Sequence, residues 1–126
     1  MESNTPPTPM KRKKEAILEP AILLVEEALR EGGKPLRVTD MAEACFMSTS
    51  HFRRLFTERM KESPVEYLLR RKMEKAAELL CESDLPVLEI SWFCGCRNHS
   101  TFFREFVSFY GCNPTEYREK HVLEEK

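Results

Sequence analysis

The sequence repeats itself. At an offset of about 50 residues Phe52 matches Phe102, Arg54 matches Arg104 and Phe56 matches Phe106. Ser63-Pro64 matches Asn113-Pro114, Glu66 matches Glu116 and Tyr67 matches Tyr117. Ser48 falls on Asn98, both good helix N-caps, and Cys45 falls on Cys94, with the second turn, through Gly95, one residue longer. A proline followed by a glutamate and a tyrosine at the same spacing, twice, is hard to assign to chance. Self-similarity at a fixed period is the mark of one small structural unit used twice.

Between the copies lies Ser63 to Ser83, which reads as a single helix. Ser63 can be the N-cap, Pro64 suits the first helical position, and Glu66 stands where a capping box needs its carboxylate. Val65, Leu68, Leu69, Met73, Ala76, Ala77 and Leu80 recur at three and four residues and make one apolar face. Such a helix is roughly 27 Å long and acts as a strut between the two units.

Each unit is expected to be helical. Residues 1–18 read as a disordered or linker-like tail, Pro-rich at first and then basic at Lys11 to Lys14. A helix is predicted over Glu19 to Arg30, with Ile22, Leu23, Val25 (or Leu24), Ala28 and Leu29 buried, and Gly32-Gly33 stopping it. Thr39 is the predicted N-cap of a short helix to Cys45, and Ser48 caps a second from Thr49 to Met60, so that 39–60 forms a helix-turn-helix. The strut occupies about 63–82. A second helix-turn-helix follows over about 87–110, opened by Leu85-Pro86 and capped at Asn98. Asn113-Pro114 opens a last short helix, and 122–126 reads as a tail. With only four glycines in 126 residues and almost no strand-like alternation, the fold is expected to be all-α, about seven helices in two helix-turn-helix subdomains joined by a long linker helix.

The net charge of −1 gives no general case for nucleic acid. The distribution does. From Ser48 to Lys75 the basic residues are Arg53, Arg54, Arg59, Lys61, Arg70, Arg71, Lys72 and Lys75, against Glu58, Glu62, Glu66 and Glu74. In a helix-turn-helix reader the second helix enters the major groove by its N-terminal part. The outward positions there are Thr49, Ser50, His51, Arg53 and Arg54 in the first copy, and His99, Ser100, Thr101 and Arg104 in the second. Arginine can bond guanine O6 and N7 as a fork, and small hydroxyls suit base edges or phosphate.

Five cysteines is an odd number, and they sit inside helical patterns, which points to reduced thiols in a cytoplasmic protein. The longest apolar run, Ala21 to Val25, is far too short to cross a membrane. Cys94-Gly95-Cys96 with Cys112 and His99 or His121 is a poor zinc spacing and reads as core, so no metal or cofactor is expected. Trp92 and Tyr67 read as packing aromatics. No catalytic constellation is present, and no enzyme is expected.

The sequence resembles the DNA-binding domain of the AraC/XylS family of bacterial transcription regulators. The motifs are Ala42-Glu43, S-x-x-x-F-x-R-L-F at Ser48 to Phe56 and S-P-x-E-Y at Ser63 to Tyr67. R-K-M-x-x-A-x-x-L-L follows at Arg71 to Leu80, I-x-x-x-x-G at Ile90 to Gly95, F-x-R-x-F at Phe102 to Phe106, and G-x-x-P-x-E-Y-R at Gly111 to Arg118. The run from Arg70 to Leu88 also resembles the small freestanding members of the MarA, SoxS and Rob type, DNA-binding activators without a sensor domain. The resemblance implies two reading helices placed in adjacent major-groove segments of double-stranded DNA. Carried over by position, the base-reading candidates are Ser50, Arg53, Arg54, His99, Ser100 and Arg104. Phosphate candidates are Thr39, Ser48, Thr49, His51, Arg59, Lys61, Arg70, Arg71, Lys72, Asn98, Thr101 and Asn113. Activation, a monomeric state and RNA polymerase as a second partner belong to the same expectation.

Three departures from the family pattern stand out. Phe46 and Lys61 replace common glycines, which predicts different turn geometry, and Cys96 replaces a common Phe, which predicts a smaller or differently filled core. Two other functions stay open at this point: a protein-binding module acting on another regulator or RNA polymerase, and a cysteine-based sensor or repair enzyme. The Pro-rich start suits either a native tail or a linker from a preceding domain.

Overall fold

The computed structural model describes the backbone of residues 9–125 and the side chains of residues 16–121. Among these, seven α-helices and no strands are found: α1 (Pro9–Glu31), α2 (Val38–Ala44), α3 (Thr49–Met60), α4 (Pro64–Glu82), α5 (Val87–Phe93), α6 (His99–Tyr110) and α7 (Pro114–Glu125). The all-α architecture with two helix-turn-helix units matches the expectation. The start of the tail and the side chains of Lys11 to Lys14 lie outside the described residues.

Two hydrophobic cores share one helix. The first gathers Leu18, Ala21, Val25, Met41, Phe52 and Phe56 with Tyr67 and Leu68 from the start of α4. The second gathers Ile90, Cys94, Phe102 and Phe106 with Met73, Ala76, Ala77 and Leu80 from the rest of α4. The strut is therefore a structural member of both units. Its N-terminal capping box is formed as expected: the Glu66 N–H donates to Ser63 Oγ at 3.1 Å and the Ser63 N–H to Glu66 Oε1 at 3.0 Å. The same device recurs at α7, where the Glu116 N–H donates to Asn113 Oδ1 at 2.8 Å and the Asn113 N–H to Glu116 Oε1 at 3.1 Å. Each box delivers a tyrosine to its core. Tyr67 meets Phe56 with ring centroids 5.4 Å apart, and Tyr117 meets Phe106 at 5.4 Å, both edge-on. Arg118 then caps the other end of α4, its Nε and Nη2 each donating at 3.0 Å to the carbonyls of Leu80 and Ser83.

Several local expectations are corrected. Helix α1 begins at Pro9, ten residues before Glu19, and Leu18 is only 1% exposed; the buried row is Leu18, Ala21, Val25 and Leu29, which turns Leu23 to solvent. Pro20 sits inside this helix and removes the hydrogen bond to the Ala16 carbonyl. Thr39 is not the cap of α2. The helix starts two residues earlier, at Val38 with Arg37 as N-cap, and the Arg37 N–H donates to Asp40 Oδ2 at 2.8 Å. Val65 is exposed rather than part of the strut's apolar face. Helix α7 carries the backbone through to Glu125, where a tail from 122 was expected.

The two replaced glycines do not change turn geometry. Phe46 has φ 59° and Lys61 φ 64°, in the left-handed region, and their counterparts Gly95 and Gly111 have φ 80° and 78°. The hydrogen bonds repeat too. The Met47 N–H donates to the Ala42 carbonyl and the Cys96 N–H to the Ser91 carbonyl, both at 3.0 Å, which closes each helix in a Schellman-type turn. The turn's requirement overrides the side chain's preference for negative φ. Cys96 packs, half-buried, against the second core.

A second link between the units, absent from the sequence reading, runs beside the strut. The Gly33 N–H donates to the Phe93 carbonyl at 2.8 Å. A Cβ on Gly32 would lie 2.4 Å from the Phe93 ring, and one on Gly95 would lie 2.7 Å from the Lys34 carbonyl oxygen. The loop after α1 therefore rests on the turn after α5, in contact too close for any side chain at Gly95.

Candidate nucleic-acid interface

Helices α3 and α6 are set out alike. Ser48 caps α3, its Oγ accepting from the His51 N–H at 3.2 Å, and Asn98 caps α6, its Oδ1 accepting from the Thr101 N–H at 3.0 Å. Neither helix has an acid in its first turn. Phe52 and Phe56 anchor one to its core, and Phe102 and Phe106 the other, all fully buried. This fixes which face is outward. Ser50, His51, Arg53, Arg54, Ser100 and Arg104 are exposed, and Thr49, His99 and Thr101 are half-buried beside them.

The arginines divide into two kinds. Arg53, Arg54 and Arg104 form no ion pair among the described residues. On the strut, Arg70 holds Glu62 through Nη2 at 2.6 Å and Glu74 through Nη1 at 3.2 Å. Arg71 holds Glu26 through Nη2 and Glu74 through Nη1, both at 2.7 Å. Arg70 and Arg71, both phosphate candidates, are thus each engaged by two carboxylates of the chain itself. Carboxylates neutralise them, and those hydrogen bonds hold the guanidinium pKa values well above their ordinary range. An arginine used to hold a protein together looks the same in sequence as one offered to a ligand.

Between α3 and α6 a groove of about 390 Å³ runs over the strut, lined by Thr39, Arg53, Val65, Leu69, Lys72 and Glu105 among others. It brings together three of the candidate residues, Thr39, Arg53 and Lys72. Lys61 is exposed, Arg59 and Asn113 are half-buried, and the Asn113 side-chain Oδ1 is already engaged in capping α7.

The cysteines form no second site. All five are free. Burial pushes the Cys94 thiol up to about 12, helped by neighbouring Cys96, and raises Cys96 as well. Such thiols are poor nucleophiles. Among the described residues no group of three or more His, Cys, Asp or Glu is placed to hold a metal ion, and no helix is long and apolar enough to cross a membrane.

Trp92, expected in the core, is 64% exposed. Ile90 and Ser91 take the buried positions of α5, where the Ser91 hydroxyl donates to the Leu88 carbonyl at 2.9 Å. Phe103 of α6 is half-buried and is not among the side chains packed against the second core.

Comparison with known proteins agrees with this layout. The family described as "Helix-turn-helix domain" matches residues 41–120. The probable transcriptional regulator LumQ of Photobacterium leiognathi is 31% identical over 85 residues, covering 68% of this chain and 34% of LumQ. The RCS-specific HTH-type transcriptional activator RclR of Escherichia coli is 30% identical over 97 residues, covering 77% of this chain and 34% of RclR. The chain thus spans about a third of the length of these relatives. Among solved structures, the DNA-binding domain of the global transcriptional factor AdpA, in complex with a target DNA, superposes with a TM-score of 0.75 at 27% identity, covering 83% of this chain and 95% of that one. By its motifs, its doubled helix-turn-helix and the family match over 41–120, this chain belongs to the AraC/XylS family of transcription regulators.

Proposed function

We propose that this chain is a sequence-specific double-stranded DNA-binding domain that inserts α3 and α6 into adjacent major-groove segments. The observation that carries the reading is the contrast among arginines: Arg53, Arg54 and Arg104 on the reading helices are exposed and form no ion pair among the described residues, whereas Arg70 and Arg71 on the strut are held by carboxylates within the protein. In this reading Ser50, Arg53, Arg54, His99, Ser100 and Arg104 meet base edges. Thr39, Ser48, Thr49, His51, Arg59, Lys61, Lys72, Asn98, Thr101 and Asn113 serve the phosphates. The domain binds as a monomer, because it already carries two readers, and it requires no catalytic chemistry. It works in activation, in keeping with the name of RclR.

A salt-dependent gel shift tests this. Binding carried by several phosphate contacts falls steeply, and linearly in log salt, as salt rises. Failure to shift any duplex at low salt would reject the reading. A second reading, a surface for another protein such as RNA polymerase, has its own support in Trp92 and Leu88, exposed together on α5. It predicts loss of transcriptional output in Trp92→Ala with DNA affinity unchanged.

A further inference from the structure

The two reading helices are alike in their caps and cores but not along one row of their surface. Four residues apart in α3 stand Thr49, Arg53 and Thr57; the repeat-equivalent row of α6 is His99, Phe103 and Val107. The first row is polar and basic. The second is apolar after its first member, with Val107 41% exposed and Phe103 half-buried outside the second core. A half-buried aromatic outside the core, next to Ser100 and Arg104, lies on the surface that faces DNA in the reading given above.

Its neighbour holds it in place. The His99 ring lies 5.3 Å from the Phe103 ring at 57° and stacks at 6.4 Å on buried Phe102. His99 Nδ1 is buried with no hydrogen-bond partner, so the imidazole is wedged by its ring rather than by polar contacts. The histidine thus fills the space between the core and Phe103 and leaves the phenyl ring one side to lean on.

We propose that Phe103, braced by His99, is a specificity-determining residue that recognises the C5 methyl group of a thymine in the half-site read by α6. This rests on the DNA-binding reading and deepens it. In the major groove the thymine methyl is the one apolar mark on a base edge, and apolar side chains such as phenylalanine contact it. Helix α3, with Arg53 at the equivalent position, reads a chemically different half-site, so the full site has no twofold symmetry although the protein repeats.

The test starts from duplexes that the intact chain selects out of a random library. Each thymine of a selected site is replaced in turn by deoxyuridine, which removes only the methyl group. Loss of one buried methyl lowers affinity by roughly fourfold. The expected result is that loss at one thymine of one half-site, a much smaller loss at that position with Phe103→Ala, and retention with Phe103→Leu. Wild-type insensitivity to uracil at every position overturns the inference alone, as does equal sensitivity in wild type and Phe103→Ala. Failure to select any duplex overturns the DNA-binding reading and this inference with it. Phe103→Ala leaves the core side chains in place, and its circular dichroism and melting temperature, unchanged from wild type, show that the readout is not unfolding.

Discussion

Arg71, midway along the strut, grips Glu26 of α1 with two parallel hydrogen bonds, Nε to Oε2 at 2.8 Å and Nη2 to Oε1 at 2.7 Å. The two residues are 45 apart in sequence, and this fork ties the linker helix to the first helix of the first unit. The Arg71 hydrogen bond holds the Glu26 carboxyl below its ordinary value of 4.5, against an opposing push from burial. A depressed carboxylate pKa stabilises the fold above the ordinary value, and that contribution is lost as pH falls through the folded-state value. Because both side chains are partly exposed, Glu26→Gln should cost about 1 kcal/mol at pH 7. Thermal melts should show the gap between wild type and variant closing below about pH 4.

The loop-to-turn contact gives an ordered set of glycine substitutions. Gly95 and Gly111 are both left-handed, so alanine strains either by about 1–2 kcal/mol. Only at Gly95 does the new Cβ also meet backbone, the Lys34 carbonyl, while at Gly111 nothing lies within 4 Å. Gly95→Ala should therefore lower the urea midpoint clearly more than Gly111→Ala. It should also weaken binding to a two-half-site duplex, because the units lose their second link.

The opposite substitutions should stabilise. Phe46 is 95% exposed and buries nothing that glycine would lose, yet its backbone is left-handed. Phe46→Gly and Lys61→Gly should each add about 0.5–1 kcal/mol in denaturant unfolding, the strain released less the greater freedom of glycine in the unfolded chain.

Met73 is fully buried where the strut serves the second core, whereas Leu69 is only partly buried. Met73→Ala should cost about 2–5 kcal/mol. Met73→Lys should abolish DNA binding without touching a base, as seen by gel shift, with loss of cooperative melting in the second unit. Leu69→Lys should be milder on both counts.

The repeat made most of the fold legible. Caps at Ser48, Ser63, Asn98 and Asn113 and the paired aromatics all follow from short-range patterns that the sequence states twice, whereas the left-handed stops at Phe46 and Lys61 do not, because the glycines of the second copy are missing there. It could also have corrected one error. With the longer second turn taken into account, Trp92 aligns with Glu43, an exposed position, and tryptophan's usual burial was the weaker guide. What stayed hidden depends on long-range pairing. Nothing near Arg70 or Arg71 in sequence separates a structural fork from a phosphate contact, since Glu26 arrives from 45 residues away. The loop contact at Gly32 to Lys34 is likewise set by tertiary packing, and the spacing of Phe102, Phe103 and Phe106 does not reveal which of three neighbouring phenylalanines lies outside the core.

The account's central claim is that two equivalent helices read two separate blocks of one duplex. Selecting bound sequences from a random duplex library, with wild type, Arg54→Ala and Arg104→Ala in parallel, tests it directly. The expected wild-type result is a site of two conserved blocks about one helical turn, or roughly 34 Å, apart. Each substitution should relax one block only, at a cost of about 1–3 kcal/mol. A single block, or both substitutions weakening all duplexes equally, would contradict the claim.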